Sequence, residues 1–201
     1  MSGSEGVARR PGGRTARTRQ AVQSACLRLL ATEGIRGFGM EQLAAEAGVH
    51  KTTLYRRWPT MADLLGEVAG ELIDRDVPVP DTGSLQGDLR AIGRSIAAVV
   101  GDPVSGPALT ALFTAPAGVS GIDDQIASFW RRRLAALEPV LARAFERGEV
   151  DRGLDAALVF ECLGAPLYYR LFITRQPIDD TVVDRAVAVT LSSVGAGLLG
   201  S

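Results

Sequence analysis

Residues 40–58 read MEQLAAEAGVHKTTLYRRW, and their spacing decides the fold of the N-terminal quarter of the chain. A short amphipathic helix runs from Met40 to Ala47 and stops at Gly48. After Val49-His50 a second short helix runs from Lys51 to Arg57 and stops at Trp58-Pro59, because proline can neither donate to a helix nor fit its interior. Two helices joined so tightly form a helix-turn-helix when three demands are met. A small residue must let the helices approach, a glycine must take the turn, and an apolar residue must anchor the second helix. Ala44, Gly48 and Leu54 fall where that geometry needs them. The second helix then offers Lys51, Thr52, Thr53, Tyr55, Arg56 and Arg57, donors suited to base edges and phosphates.

Working outward, Ala21, Val22, Ala25, Cys26, Leu29 and Leu30 recur at helical spacing between Thr15 and Glu33, and Gly34 ends that helix. Cys26 lies inside the stripe and reads as a small buried hydrophobe. Residues 1–13 are small, polar and basic without periodicity, so a disordered arm is expected there. It is either a solvated tail or an arm whose Arg9, Arg10 and Arg14 reach a DNA backbone or minor groove. On the other side, Thr60 and Asp63 form a capping box opening a helix to about Arg75. Pro78, Pro80 and Gly83 break the chain beyond it, and further helices are expected at roughly 84–100, 106–115, 121–148, 155–174 and 179–199. No stretch alternates with period two, no hairpin signal appears and no repeat is evident. The expected fold is all-α with about nine helices: residues 14–60 a three-helix DNA-binding domain and residues 61–201 a helical body, with the helix at 61–75 as connector.

Composition excludes several classes. The chain has 201 residues, 46% of them hydrophobic, with two cysteines 136 positions apart and a single histidine, His50. That leaves no disulfide framework and no Cys/His zinc site, and it fits a reducing, cytoplasmic compartment. With no Gly-rich phosphate loop, no metal-ligand spacing and the lone histidine on the DNA-binding unit, neither an enzyme nor a cofactor is expected. Two uncharged stretches, Pro103–Ile122 and Ala186–Ser201, are not expected to span a membrane. Prolines and glycines interrupt the first, and the second has sixteen residues where a crossing helix needs about 20. The formal net charge of −1 hides a division. Residues 1–60 carry ten Arg/Lys against four Asp/Glu, a net of +6, and the remainder carries twelve against nineteen, a net of −7. A basic quarter on an acidic body suits a polyanion on one face only.

Residues 18–65, TRQAVQSACLRLLATEGIRGFGMEQLAAEAGVHKTTLYRRWPTMADLL, resemble the N-terminal domain of TetR-family transcriptional regulators. The likeness rests on Glu33-Gly34, Leu43-Ala44, Ala47-Gly48-Val49, Thr53-Leu54-Tyr55 and Trp58. The run Tyr55-Arg56-Arg57-Trp58-Pro59 resembles a subgroup with an arginine-rich end to its recognition helix. The resemblance implies a homodimer, two recognition helices in successive major grooves of a double-stranded DNA operator, and a C-terminal domain that binds a small effector. It implies that Lys51 and Thr52 face base edges, that Tyr55 and Arg56 face phosphates, and that Thr53 divides between packing and a phosphate. His50 stands where the family has a serine helix cap, Gly39 where it has Thr or Ser, and Met61 where it has lysine. The last two changes each remove one possible phosphate contact, which lowers affinity and its salt dependence without altering which bases are read.

In the body, the helix from Ile122 places Ile126, Phe129, Trp130, Leu137, Val140, Leu141 and Ala144 on one face. At 100° per residue Arg133 lies about 20° from Ile126 and about 40° from Leu137, inside that face. A buried cation needs a partner: either an internal carboxylate such as Glu161, or the carboxylate or hydroxyl of a ligand. Phe113, Phe129, Trp130, Cys162 and Tyr169 are candidates to line an apolar pocket with it. Leu154, Leu158, Cys162, Ala165, Tyr169 and Phe172 share one face of the eighth helix, in which Pro166 predicts a kink. The last helix carries an apolar stripe, Val187, Leu191, Val194 and Leu198, and a small-residue stripe, Ala186, Thr190, Ser193 and Gly197. One side can face the core and the small-residue side a second copy of the chain, giving a four-helix dimer interface. The resulting expectation is a ligand-responsive transcriptional regulator, a repressor released by a small apolar or amphipathic effector. The alternative is a helical small-molecule- or protein-binding dimer with weakened or lost DNA recognition.

Overall fold

Each apolar stripe of the sequence closes as a helix at the glycine, proline or capping residue that bounds it. The structure is a computed structural model, and it describes residues 12–114 and 121–200. Nine α-helices and no strand occur among the described residues: α1 (Gly12–Glu33), α2 (Met40–Glu46), α3 (Lys51–Arg57), α4 (Met61–Asp76), α5 (Leu85–Gly101), α6 (Ser105–Phe113), α7 (Ile122–Glu146), α8 (Ala156–Tyr168) and α9 (Asp180–Gly195). A π-helical segment, Tyr169–Thr174, continues α8. The fully described part of the expected arm is short, since α1 already begins at Gly12; Arg9, Arg10 and the side chain of Arg14 lie outside the described residues.

The caps explain where the longer helices begin. The Thr60 hydroxyl accepts from Asp63 N–H while the Asp63 carboxylate accepts from Thr60 N–H, the reciprocal box expected from the sequence. Ser84, Asp155 and Asp179 cap α5, α8 and α9 with side-chain oxygens that accept from first-turn N–H groups.

Two cores divide the chain. The first gathers Val22, Cys26, Leu43, Leu54, Trp58, Leu64 and Leu65 from α1–α4 and closes over Leu112 of α6 and Ile122 of α7. It therefore runs past residue 60, and α4 belongs to the DNA-binding unit as fully as to the body. The second core joins α5, α7, α8 and α9 through Leu89, Val140, Leu163, Leu167, Val183 and Val187. Between them lies a small cluster of Leu72, Val77, Val99 and Leu109. The connection from α4 to α5 is tied down: buried Asp88 accepts from the Thr82 N–H at 2.7 Å and its hydroxyl at 2.8 Å, and Glu149 accepts from Leu85 N–H at 2.6 Å.

Of the residues expected to share one face of α8, Leu158, Cys162, Ala165 and Tyr169 lie on its outer side, while Leu154 packs against the second core. Val159, Phe160, Leu163, Gly164 and Leu167 are buried, whereas Leu158 is 39% and Tyr169 57% exposed. The helix is apolar on almost every side, so spacing alone does not choose the face. The α-helix runs through Pro166 to Tyr168, and the π-helix takes over from Tyr169. The segment Ala156–Thr174 is long and apolar enough to cross a membrane by length and composition. Here one of its sides fills the second core and the other is open.

Candidate functional site

The turn of the helix-turn-helix is built by Gly48 at φ +64°, the left-handed region where a glycine carries no steric cost. Gly48 N–H donates to Ala45 carbonyl and Val49 N–H to Ala44 carbonyl at 2.9 Å, which folds the chain back on α2. Ala44 and Leu54 are buried at the crossing. With Leu54 anchored inward, Lys51, Thr52, Tyr55 and Arg56 are exposed along the opposite face of α3 and Thr53 is half-buried. Tyr55, a large ring, is 44% exposed. His50 is exposed at the N-cap of α3 and makes no side-chain cap bond, and neither does Gly39 at α2. Met61, half-buried, packs against the first core.

Two of the expected DNA-facing cations have internal partners. Lys51 Nζ lies 2.7 Å from Glu41 Oε1, with both side chains more than half exposed. Such a pair is worth about 0–1 kcal/mol and opens readily to a phosphate. Arg57 is held more firmly. Its guanidinium sits 5.1 Å over the Trp58 ring and 3.2 Å from Glu67 Oε1. It thus turns back onto α4.

Glu67 is the residue that sequence reasoning missed. It accepts from Arg19 Nε at 2.8 Å, from Arg57 Nη2 at 3.2 Å and from the Trp58 indole N–H at 3.1 Å. One turn on, Glu71 accepts from Gln23 and pairs with Arg19. A single face of α4 therefore holds α1 and the end of the recognition helix together. Its partners are 9, 10 and 48 positions away, so no local spacing announces it.

The opposite face of α4 meets α7. The Gln125 side chain lies directly on Gly66, in the space a Cβ there would take. Gln125 donates to Asp63 Oδ1 at 3.2 Å, linking α7 to the α4 cap.

Beside the far end of α4 lies an apolar cavity of about 60 Å³, room for a few waters at roughly 10–15 Å³ each. Ile73 of α4 and Val77 just past its end, Val99 of α5, Leu109 and Phe113 of α6, Phe129, Trp130 and Arg133 of α7, and Phe160, Leu163 and Tyr168 of α8 line it. Phe113, Phe129 and Trp130 pack with ring centroids 5.0–5.7 Å apart, and Trp130 meets Tyr168 edge-on at 5.8 Å. Arg133 is only 8% exposed, and its Nη2 has no hydrogen-bond partner. Burial lowers its pKa, partly offset by the field of Asp74 and by Tyr168. Burial also pushes the Tyr168 phenol up to about 12.

The structure thus brings four of the expected pocket residues together, Phe113, Phe129, Trp130 and Arg133, and leaves two aside. Tyr169 points outward and Cys162 sits half-buried on the outer side of α8; Tyr168, four residues after buried Gly164, takes the inward place. Glu161 is exposed, not a partner of Arg133. On α9, Ala186 and Thr190 also turn inward. Thr190 is buried because its hydroxyl donates to the Ala186 carbonyl at 2.9 Å. Ser193 is half-buried, and Gly197 is exposed at φ +70° just past the helix. The outward face of α9 runs instead through Arg185, Ala188, Val189 and Ser192. Cys26 is buried, with its thiol pushed up to about 12, and serves packing. Among the described residues no cluster of His, Cys, Asp and Glu is suited to hold a metal.

Known proteins share this architecture. Residues 24–68 match the family described as bacterial regulatory proteins, tetR family, and residues 79–190 the tetracyclin repressor-like C-terminal domain. The chain is 32% identical to the HTH-type transcriptional regulator AqdR of Rhodococcus erythropolis over 179 residues, 89% of this chain and 86% of that one. It is 32% identical to the DNA-binding transcriptional repressor TetR of Mycobacteroides abscessus over 178 residues, 83% of this chain and 88% of that one. The crystal structure of the TetR family transcription regulator SCO0332 superposes with a TM-score of 0.71 at 30% identity, covering 88% of this chain and 98% of that one. These relatives are regulators and not enzymes, and regulators of the family bind DNA operators and act as dimers. With the turn at Gly48, the exposed face of α3 and both halves of the chain matched, the protein belongs to the TetR family of helix-turn-helix transcriptional regulators.

Proposed function

We propose that this protein is a homodimeric, cytoplasmic repressor that leaves its operator when a small apolar or amphipathic effector occupies the cavity between α4 and α8. The observation that carries the reading is that α4 serves both ends. Its Ile73, with Val77 at its C-terminal cap, lines the cavity, and its Glu67 and Glu71 hold α1 and α3. A ligand that fits only one position of α4 shifts the protein toward that position. Because α4 carries the recognition helix, the shift changes the separation of the two helices in the dimer. Repression then fails when they no longer match half-sites about 34–36 Å apart, or a multiple of that.

In this reading Lys51 and Thr52 meet base edges, Tyr55 and Arg56 meet phosphates, and Thr53, His50 and Arg14 add backbone contacts. The run Tyr55-Arg56-Arg57-Trp58-Pro59, the feature by which we set this chain in a subgroup, splits into two functions: its first two side chains face outward and its next two are fastened to Glu67. The dimer surface is the open side of α8 and α9, where Leu158, Tyr169, Ile173 and Val189 are exposed. Burying such apolar area against a second copy supplies the driving force for association.

Selection of bound duplexes from a random-site pool, followed by fluorescence anisotropy, tests the DNA claim. Lys51→Ala and Thr52→Ala relax sequence preference, while Arg56→Ala weakens binding to all sequences and flattens its salt dependence by about one charge. A pool that yields no sequence-preferring, salt-sensitive binding supports a helical ligand-binding dimer without DNA recognition. A stable monomer by sedimentation at micromolar concentration contradicts the interface.

A further inference from the structure

We infer that the cavity selects an aromatic or aliphatic monoanion of carboxylate size, whose charged group pairs with Arg133 and whose apolar body lies against Phe129, Trp130 and Phe160. This rests on the proposed reading of the cavity as the effector site and names the chemical class of its occupant. A guanidinium is an expensive group to bury, and a cation in an interior is normally matched by a carboxylate or a full set of hydrogen bonds. Arg133 has neither. No carboxylate of the described residues lies within 4 Å of it, its Nη2 is unpartnered, and Asp74, the acid whose field reaches it, is exposed on α4. Nothing internal explains why a cation is kept there.

The surroundings specify the rest of the ligand. One cation in an otherwise apolar cavity is neutralised by one negative charge, and a second charge on the ligand would be buried unpaired. The guanidinium fork suits a planar carboxylate bidentately. Tyr168 stands beside it and stays protonated at physiological pH, so its phenol is a second donor. The edge-to-face rings of Phe129 and Trp130, at 5.0 Å, accept a flat apolar body. The cavity of about 60 Å³ is smaller than the ~150 Å³ that takes up a benzene ring, so such a body enters only when lining side chains such as Phe113 or Leu134 move aside.

The test uses the full-length protein, with a graded series of carboxylates and their neutral amides as probes: benzoate, 1-naphthoate, 2-naphthoate and octanoate. Binding is measured by calorimetry on wild type, Arg133→Met and Arg133→Lys. At least one acid is expected to bind wild type ten-fold or more tighter than its amide. That preference disappears in Arg133→Met, which keeps the volume and loses the charge, and is partly restored in Arg133→Lys. Without ligand, Arg133→Met should melt higher than wild type by about 2–4 °C, because it removes an unpaired buried cation. A merely structural arginine would give the opposite sign. The inference is overturned if every amide binds as well as its acid, if no acid in the series binds, or if the preference survives in Arg133→Met. A neutral compound that binds the cavity and releases DNA would overturn the ligand class while leaving the ligand-responsive repressor intact. Failure of every cavity ligand to release DNA would instead count against that broader reading.

Discussion

Replacing Glu67 by alanine removes one carboxylate on which three donors converge from α1, α3 and the C-cap of α3, and the structure gives the size of the effect. The Arg19 and Arg57 side chains are 40% and 38% exposed, so each ion pair is screened and contributes about 0.5 kcal/mol. The Trp58 indole differs. Trp58 is only 2% exposed, and a buried donor stripped of its acceptor costs about 1–2 kcal/mol. The total is about 2–3 kcal/mol, which lowers the melting temperature by about 4–12 °C in a chain of this length. Glu67→Gln keeps a carbonyl oxygen for the indole and loses only the charge, so it should cost about 1 kcal/mol, or roughly 2–4 °C. Thermal and urea unfolding of wild type and both variants at neutral pH measure the difference. Loss of the clamp should also weaken operator binding in Glu67→Ala, because α1 and α3 are no longer held to α4. The reasoning is refuted if the two variants melt together, since that would mean the indole bond carries nothing.

Other expectations follow from single positions. Gly48→Ala meets no neighbouring atom but keeps φ at +64°. It should therefore cost about 1–2 kcal/mol through backbone strain alone and depress DNA binding with the melting temperature. Arg175 is the one non-glycine residue at positive φ among the described residues, +52° at the end of the π-helix. Arg175→Gly should raise stability by about 0.5–1 kcal/mol, read as a higher urea midpoint with unchanged slope. Glu149 pairs with Arg147 and accepts from Leu85 N–H, which hold its carboxyl below the ordinary value of 4.5. A depressed folded pKa gives stability that is full above 4.5 and is lost as pH falls through the lower folded value. Wild type should therefore lose melting temperature below about pH 4.5 more steeply than Glu149→Gln, and parallel profiles would contradict the assignment.

The helix-turn-helix was legible in the sequence because three constraints of different kinds, small, left-handed and apolar, had to fall on Ala44, Gly48 and Leu54 at once. Arg133 was legible because a charge amid an apolar stripe is visible from helical periodicity alone. Its lack of a partner was not, since that depends on where Glu161 and Asp74 end up. On α8 periodicity failed for a physical reason: a helix apolar on almost all sides leaves its orientation to packing, and once Phe160, Gly164 and Leu167 face inward, Tyr168 and not Tyr169 follows them. On α9 the small-residue stripe suggested an outward face, yet Thr190 can be buried by returning its hydroxyl to the backbone, and Ala186 follows it inside. Glu67 escaped because its meaning is entirely tertiary. In isolation it is a charge on an amphipathic helix, and only the folded chain brings Arg19, Arg57 and Trp58 to it. The same clamp explains why Arg57 turns back onto α4, away from the exposed face of Lys51, Thr52, Tyr55 and Arg56.

The most direct test of the central claim is the anisotropy of a labelled duplex carrying the selected site, titrated with wild-type protein with and without compounds that raise its melting temperature. A compound that stabilises the fold through the cavity must have bound the native state. Coupling through α4 predicts that at least one such compound weakens operator binding several-fold, and that the operator in turn weakens binding of the compound by the same factor. Compounds that stabilise the protein through the cavity yet all leave operator affinity unchanged would contradict the account.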